Sequence, residues 1–198
     1  CMVISLYCGK KTTQALIRAN LIQESQQDVF LYCFDFLYDV LFYNCSLIIL
    51  GFLTKSPLLA LTYALSFSPA RMLAGGVHAN SRASCSIWSY LVFGATMILS
   101  KAGFSQIPPV CMAVVFAVSL IAVYLLTPVL PPQKKTARKN PGKIKRVSLF
   151  YYGALAIAFL LFYSHGYFLY NTCMMITTIS VLTGQIIGTL QYHQGGRP

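Results

Sequence analysis

Six long apolar runs divide the chain and limit what it can fold into. They are Val29–Leu53, Pro57–Ala74, Cys85–Ser100, Pro109–Leu130, Val147–Ser164 and Tyr167–Leu190. The runs are continuous rather than striped with a 3.6-residue period, so the solvent around most of the chain is lipid. Crossing a hydrocarbon core of about 30 Å takes about 20 helical residues. Cys85–Ser100 is short by that measure. Only helices can cross, because an unsatisfied backbone group in lipid costs several kcal/mol. Composition agrees: 57% of residues are hydrophobic and 10% charged, against about a quarter charged in soluble domains. The expected fold is an all-α integral membrane protein of about six transmembrane helices, with residues 1–198 forming one polytopic domain.

Charge sets the expected orientation. The net charge is +11, from 15 Lys and Arg against four acids, Glu24, Asp28, Asp35 and Asp39. With the N-terminus in the cytosol and six spans following, the inner segments hold Lys10, Lys11, Arg18, Arg71, Arg82, Lys134, Lys135, Arg138, Lys139, Lys143, Lys145, Arg146 and Arg197. The outer segments hold only Lys55 and Lys101. That asymmetry follows the positive-inside rule, and both termini are then cytosolic. The basic balance reads as topology, and no nucleic-acid partner is expected.

Residues 1–28 form an N-terminal cytosolic segment. Within it, residues 10–28 read as a polar helix with a weak apolar face at Leu16, Ile17 and Leu21. Such a helix either lies on the inner membrane surface or is a solvated lead-in. Met2–Tyr7 is too short for a signal-peptide core, so no cleavable signal is expected. The seven cysteines show no CxxC pairing. Cys33, Cys45, Cys111 and Cys173 fall inside apolar runs and read as small buried hydrophobes.

Reactive and basic groups converge in one place, the segment Pro69–Trp88, with Arg71, Gly75, Gly76, His78, Asn80, Ser81, Arg82 and Cys85. Polar groups at membrane depth are costly and mark function. A thiol and an imidazole make a nucleophile and its base. On one straight helix, seven residues would separate His78 from Cys85 by roughly 10 Å along the axis, beyond a hydrogen bond of about 3 Å. The helix must therefore break between them. Gly75-Gly76 can end the second span, and Asn80-Ser81 can turn the chain or cap the next helix. Cys85 then falls in the first turn of the third span, where the helix dipole favours a thiolate.

The run Arg71-x-x-Ala-x-Gly76-x-His78-Ala79, followed by Cys85, resembles the signature of the AgrB family, the accessory gene regulator B membrane endopeptidases of Gram-positive quorum sensing. Chain length, six spans and a basic loop between the fourth and fifth spans resemble that family too. The resemblance implies a thiol protease of the cell membrane with His78 and Cys85 as the catalytic pair and Arg71 as a supporting residue. Where some members carry a second arginine, this chain has Met72. The implied partner is an AgrD-type peptide precursor, whose cysteine closes a thiolactone ring after its acidic tail is cleaved. No cofactor is implied, and no second His or acid has metal-ligand spacing near His78.

The residues that orient His78 or hold an oxyanion are open. Asn80, Ser81 and Ser84 are near in sequence. Asp35 and Asp39 share a face of the first span and either pair with Arg71 or Arg82 or orient His78. The loop Pro131–Arg146 has seven Lys or Arg and no acid, Lys134, Lys135, Arg138 and Lys139 among them. It reads as an anchor on anionic lipid and as a dock for an acidic tail, and the two are compatible. His165 and His193 sit at span ends and read as interfacial. Gly184-Gln-Ile-Ile-Gly188 is a GxxxG that permits close packing, within the bundle or between two copies in a homodimer. A small transporter or channel is the alternative reading. It calls for charges spread along several spans, whereas all four acids lie in the first fifth of the chain.

Overall fold

The computed structural model describes residues 2–74, 82–102, 108–127 and 141–194. Among these residues the structure is helical with no strand. The helices are α1 (Met2–Arg18), α2 (Gln27–Leu53), α3 (Pro57–Ala74), α4 (Arg82–Lys101), α5 (Pro109–Leu126), α6 (Pro141–Ser164) and α7 (Phe168–Gln194), with a 3-10 turn at Glu24–Gln26. By length and composition alone, the helices within 24–53, 142–164 and 168–191 can each cross a membrane. Helices α3, α4 and α5 have 18, 20 and 18 residues. The chain is an all-α membrane protein.

Helices α2 to α7 run alternately up and down. The α2–α3 hairpin turns on Lys55, a non-glycine residue at φ 54°. There Ser56 N–H reaches back to Gly51 C=O and Lys55 N–H to Phe52 C=O, which satisfies carbonyls left open at the helix end. Gly51 permits the close approach, since a Cβ there would strike the Ala60 Cβ. Gly166, at φ 74°, turns α6 into α7 with the same bond pattern. Helix α7 sits centrally and packs on α3, α4, α5 and α6. The core includes Tyr63, Phe67, Phe93, Met112, Phe116, Phe159 and Met174. Phe116 and Phe159 stack at 4.1 Å between α5 and α6.

Pro69 lies inside α3. It has no N–H, so the Leu65 carbonyl four residues back loses its helical donor. The Tyr151 hydroxyl of α6 supplies one, shared between Leu65 O at 2.8 Å and Ser66 O at 2.9 Å. Tyr151→Phe keeps the ring and orphans that carbonyl. We expect it to lower unfolding stability in detergent by about 1 kcal/mol. An unchanged unfolding midpoint would mean lipid or water satisfies Leu65 just as well.

The N-terminal helix differs from expectation. It spans Met2–Arg18 rather than residues 10–28, because Asn20, at φ 55°, ends it. Asn20 N–H bonds Ile17 O and Leu21 N–H bonds Leu16 O, a helix-terminating pair. Pairing of Asn44 with Ser68 and of Gly51 with Ala60 sets the α2–α3 register. That register brings Tyr38 alongside Ala74, so residues 27–37 extend past the end of α3. Helix α1 packs on this extension. Ser5 Oγ donates to Asp35 Oδ1 at 3.1 Å, Gly9 lies against the Asp35 backbone, and Thr12 Oγ1 meets Tyr38 Oη at 2.8 Å. Asp35 is buried and bonded to Ser5, a partner absent from the arginine-pairing and His78-orienting readings.

Two further expectations need revision, and the GxxxG gains a local description. Cys173 is buried, but Cys33, Cys45 and Cys111 are exposed on the outside of the bundle. An apolar run in a membrane bundle has a lipid-facing side as well as a core side, and these three lie on the former. Residues 141–146 of the basic loop are wound into the start of α6. In the GxxxG, Gly188 is buried, while a Cβ at Gly184 would meet nothing within 4 Å.

Candidate functional site

One end of the bundle gathers the start of α2, the end of α3, the starts of α4 and α6, and the ends of α5 and α7. Its described basic residues include Arg71, Arg82, Lys143, Lys145 and Arg146, with α1 adding Lys10, Lys11 and Arg18. The opposite end holds Lys55 and Lys101, and Lys101 Nζ donates to Thr54 O at 3.1 Å. Tyr7 pushes the Lys11 pKa above its usual value through a side-chain hydrogen bond, and the Lys11 ammonium lies 4.8 Å from the Tyr7 ring centre.

Helices α3 and α4 meet antiparallel at the basic end. Tyr63 packs on Phe93 with ring centroids 5.1 Å apart. Nearer the connection, Arg71 Nη1 donates to Ser89 Oγ at 2.7 Å. The chain thus reverses between Ala74 and Arg82. The Arg71 guanidinium also lies 5.7 Å from the Phe67 ring centre, one turn back on α3. Ser89 is buried, and its backbone carbonyl accepts the Tyr63 hydroxyl at 3.2 Å. Cys85 is the fourth residue of α4. Ser89 follows it by four, so helical register puts both positions on one face. Arg71 therefore clasps the face of α4 that bears position 85 to the last turn of α3.

Gly76, His78, Asn80, Ser81, Lys134, Lys135, Arg138 and Lys139 lie outside the described residues, as does the Cys85 side chain. Of the site residues read from sequence, Arg71 is the one whose side-chain contacts are described. His165 is exposed in the α6–α7 turn, its ring 6.2 Å from that of Tyr167. Among the described residues no cluster of three or more His, Cys, Asp or Glu could hold a metal ion.

A polar layer surrounds the clasp. Ser46 Oγ meets Tyr90 Oη at 2.6 Å, and Ser68 Oγ donates to Asn44 Oδ1 at 2.8 Å. Gln185 of α7 is fully buried and reaches the ends of α3 and α5. Sequence reading missed Ser89 and Gln185. Ser89 had one legible signal, its four-residue spacing from Cys85. Gln185 had another, an amide inside an otherwise apolar span.

No curated protein matches this chain, and no solved structure does. The family model AgrB, accessory gene regulator B, matches residues 9–189 of the 198. That match covers nearly the whole chain, including the α3–α4 clasp, the basic α5–α6 connection and the central α7. The chain therefore belongs to the accessory gene regulator B family, and its place is in the membrane, in agr quorum sensing.

Proposed function

We propose that the chain is a membrane cysteine endopeptidase acting on an AgrD-type precursor, with Cys85 as nucleophile and His78 as its base. The observation that carries this reading is the Arg71–Ser89 bond. It ties together the two helices whose short connection bears His78 and whose α4 start bears Cys85. In this reading the basic end faces the cytosol, in line with the distribution of Lys and Arg.

The chemistry proceeds in two exchanges. His78 takes the Cys85 proton, and the thiolate attacks the carbonyl carbon at the junction between pheromone region and tail. The tetrahedral intermediate collapses, His78 returns the proton to the departing amine, and an acyl-enzyme thioester remains. The precursor's own thiol, deprotonated by His78, then attacks that thioester. Its sulfur bonds the acyl carbon, Cys85 leaves as thiolate and recovers the proton, and a thiolactone ring closes. One thioester replaces another, so no external energy source is needed. Water must be kept from the acyl-enzyme, and a membrane-face site serves that end.

The basic connection is read as the dock for the precursor's acidic tail. Lys143, Lys145 and Arg146 stand in the first turns of α6, where cations oppose the helix dipole. Helix stability does not call for them there, whereas an anionic partner does. Lys145 Nζ lies 5.9 Å from the Tyr124 ring centre on α5. Replacing Lys134, Lys135, Arg138 and Lys139 with Gln should raise KM several-fold, leave kcat within about twofold, and flatten the salt dependence of processing. An unchanged KM would leave the segment as a lipid anchor only.

The whole reading is tested by co-expressing the chain with its precursor and following tail release and ring closure in Cys85→Ala and His78→Ala. Loss of both products with normal membrane insertion supports it. Cleavage at the wild-type rate by Cys85→Ala discards it.

A further inference from the structure

The last stretch of α3, Pro69–Ala74, bears Arg71 and leads to His78 four residues later. It is gripped on both sides. Tyr151 of α6 holds the Leu65 and Ser66 carbonyls just before the proline. Gln185 of α7 holds the far end, its Nε2 donating to Ala74 O at 3.2 Å. The same amide donates to Thr127 Oγ1 at 3.0 Å and reaches Val123 O at 3.4 Å, at the end of α5. Thr127 Oγ1 in turn donates to Val123 O at 2.6 Å.

Two N–H groups thus serve three acceptors drawn from two helix ends. Gln185 thereby bridges the end of α3 to the end of α5. The rest of the amide is uneconomical as packing. Gln185 has no exposed surface, and its Oε1 has no hydrogen-bond partner among the described residues. A buried carbonyl without a partner is unfavourable. A Met of similar volume would fill the space without that cost. What Met could not do is fix Ala74 against α5.

We propose that Gln185 is a positioning residue for the reaction, acting through the end of α3 on the placement of Arg71 and His78 relative to Cys85. This rests on the cysteine-peptidase reading. A displacement of about 1 Å in a catalytic constellation can cost on the order of a hundredfold in rate. Loosening the Ala74 end should therefore appear in kcat and in the state of the thiol, with substrate affinity little changed.

The test uses the full-length protein in anionic liposomes with its synthetic precursor. Variants Gln185→Met and Gln185→Asn are compared with wild type and with Cys85→Ala. Met removes donor and acceptor at similar volume, and Asn withdraws the amide by one methylene. Kinetics are read on the folded fraction, alongside the pH profile of Cys85 alkylation followed by mass spectrometry. We expect kcat to fall by roughly tenfold to a hundredfold in Gln185→Met and less in Gln185→Asn, with KM within about twofold. The midpoint of Cys85 alkylation should move to higher pH as the imidazole loses its place beside the thiol. A purely structural role would lower the folded yield and leave both kcat per folded molecule and the alkylation midpoint unmoved. That result, in whichever of the two variants folds, overturns the proposal. Undiminished cleavage by Cys85→Ala would instead remove the peptidase reading itself, whatever Gln185 does.

Discussion

Cys85→Ala should abolish tail release from the precursor, and with it ring closure, by at least about a thousandfold. In a covalent route the nucleophile has no substitute, and only residual binding and electrostatic catalysis remain. His78→Ala should lose nearly as much, because the two side chains act as a unit and their losses do not add. Cys85→Ser sharpens the test. A hydroxyl is a far weaker nucleophile than a thiol at neutral pH, and an ester is a poorer acyl donor than a thioester. Any slow cleavage by that variant should release the tail while ring closure lags behind. Membrane insertion should be normal in all three, since Cys85 lies in the first turn of α4 and the described α3–α4 clasp uses Arg71 and Ser89. Mass spectrometry of precursor, linear peptide and ring distinguishes the outcomes. A Cys85→Ala protein that still makes the ring would leave no covalent role for the thiol.

The spans were legible because lipid imposes a length and a continuous apolar character. Pro57–Ala74 was read to the residue, since a proline opens it and a glycine pair follows it. Local chemistry was harder. Helix α1 was placed too late in the chain because Lys10, Lys11 and the polar residues after them suggested its start. The bond pair around Asn20 ends it instead, and Ser5, Gly9 and Thr12 bury its small face against α2. The Ser5 hydroxyl that donates to Asp35 was not foreseen, because sequence shows which charges exist and not which hydroxyl lies across a helix contact. Gln185 was passed over inside a GxxxG whose glycines drew the attention. Only the register of α3, α5 and α7 brings that amide onto two helix ends at once. The sequence motif named Arg71, and the structure adds what its side chain touches.

Arg71→Lys should not rescue Arg71→Ala. The Arg71 guanidinium donates to Ser89 Oγ while lying near the Phe67 ring. A planar fork can do both at once. An ammonium on a flexible stem keeps the charge but loses the fixed geometry and the stacking. If the residue acts as a clasp, both variants should cut kcat by roughly tenfold to a hundredfold with little change in KM. Ser89→Ala should follow in the same direction with a smaller loss, since it removes the acceptor and leaves the guanidinium in place. Adding Ser89→Ala to Arg71→Lys should then cost almost nothing more, the non-additivity expected of two partners in one contact. A role in binding the precursor's acidic tail predicts a different pattern. Lys would then retain most activity, the loss in Ala would fall on KM, and salt would shrink the difference between variants. Full kcat in Arg71→Lys together with independent, additive effects at Ser89 would show that this contact does not set the geometry of the α3–α4 reversal.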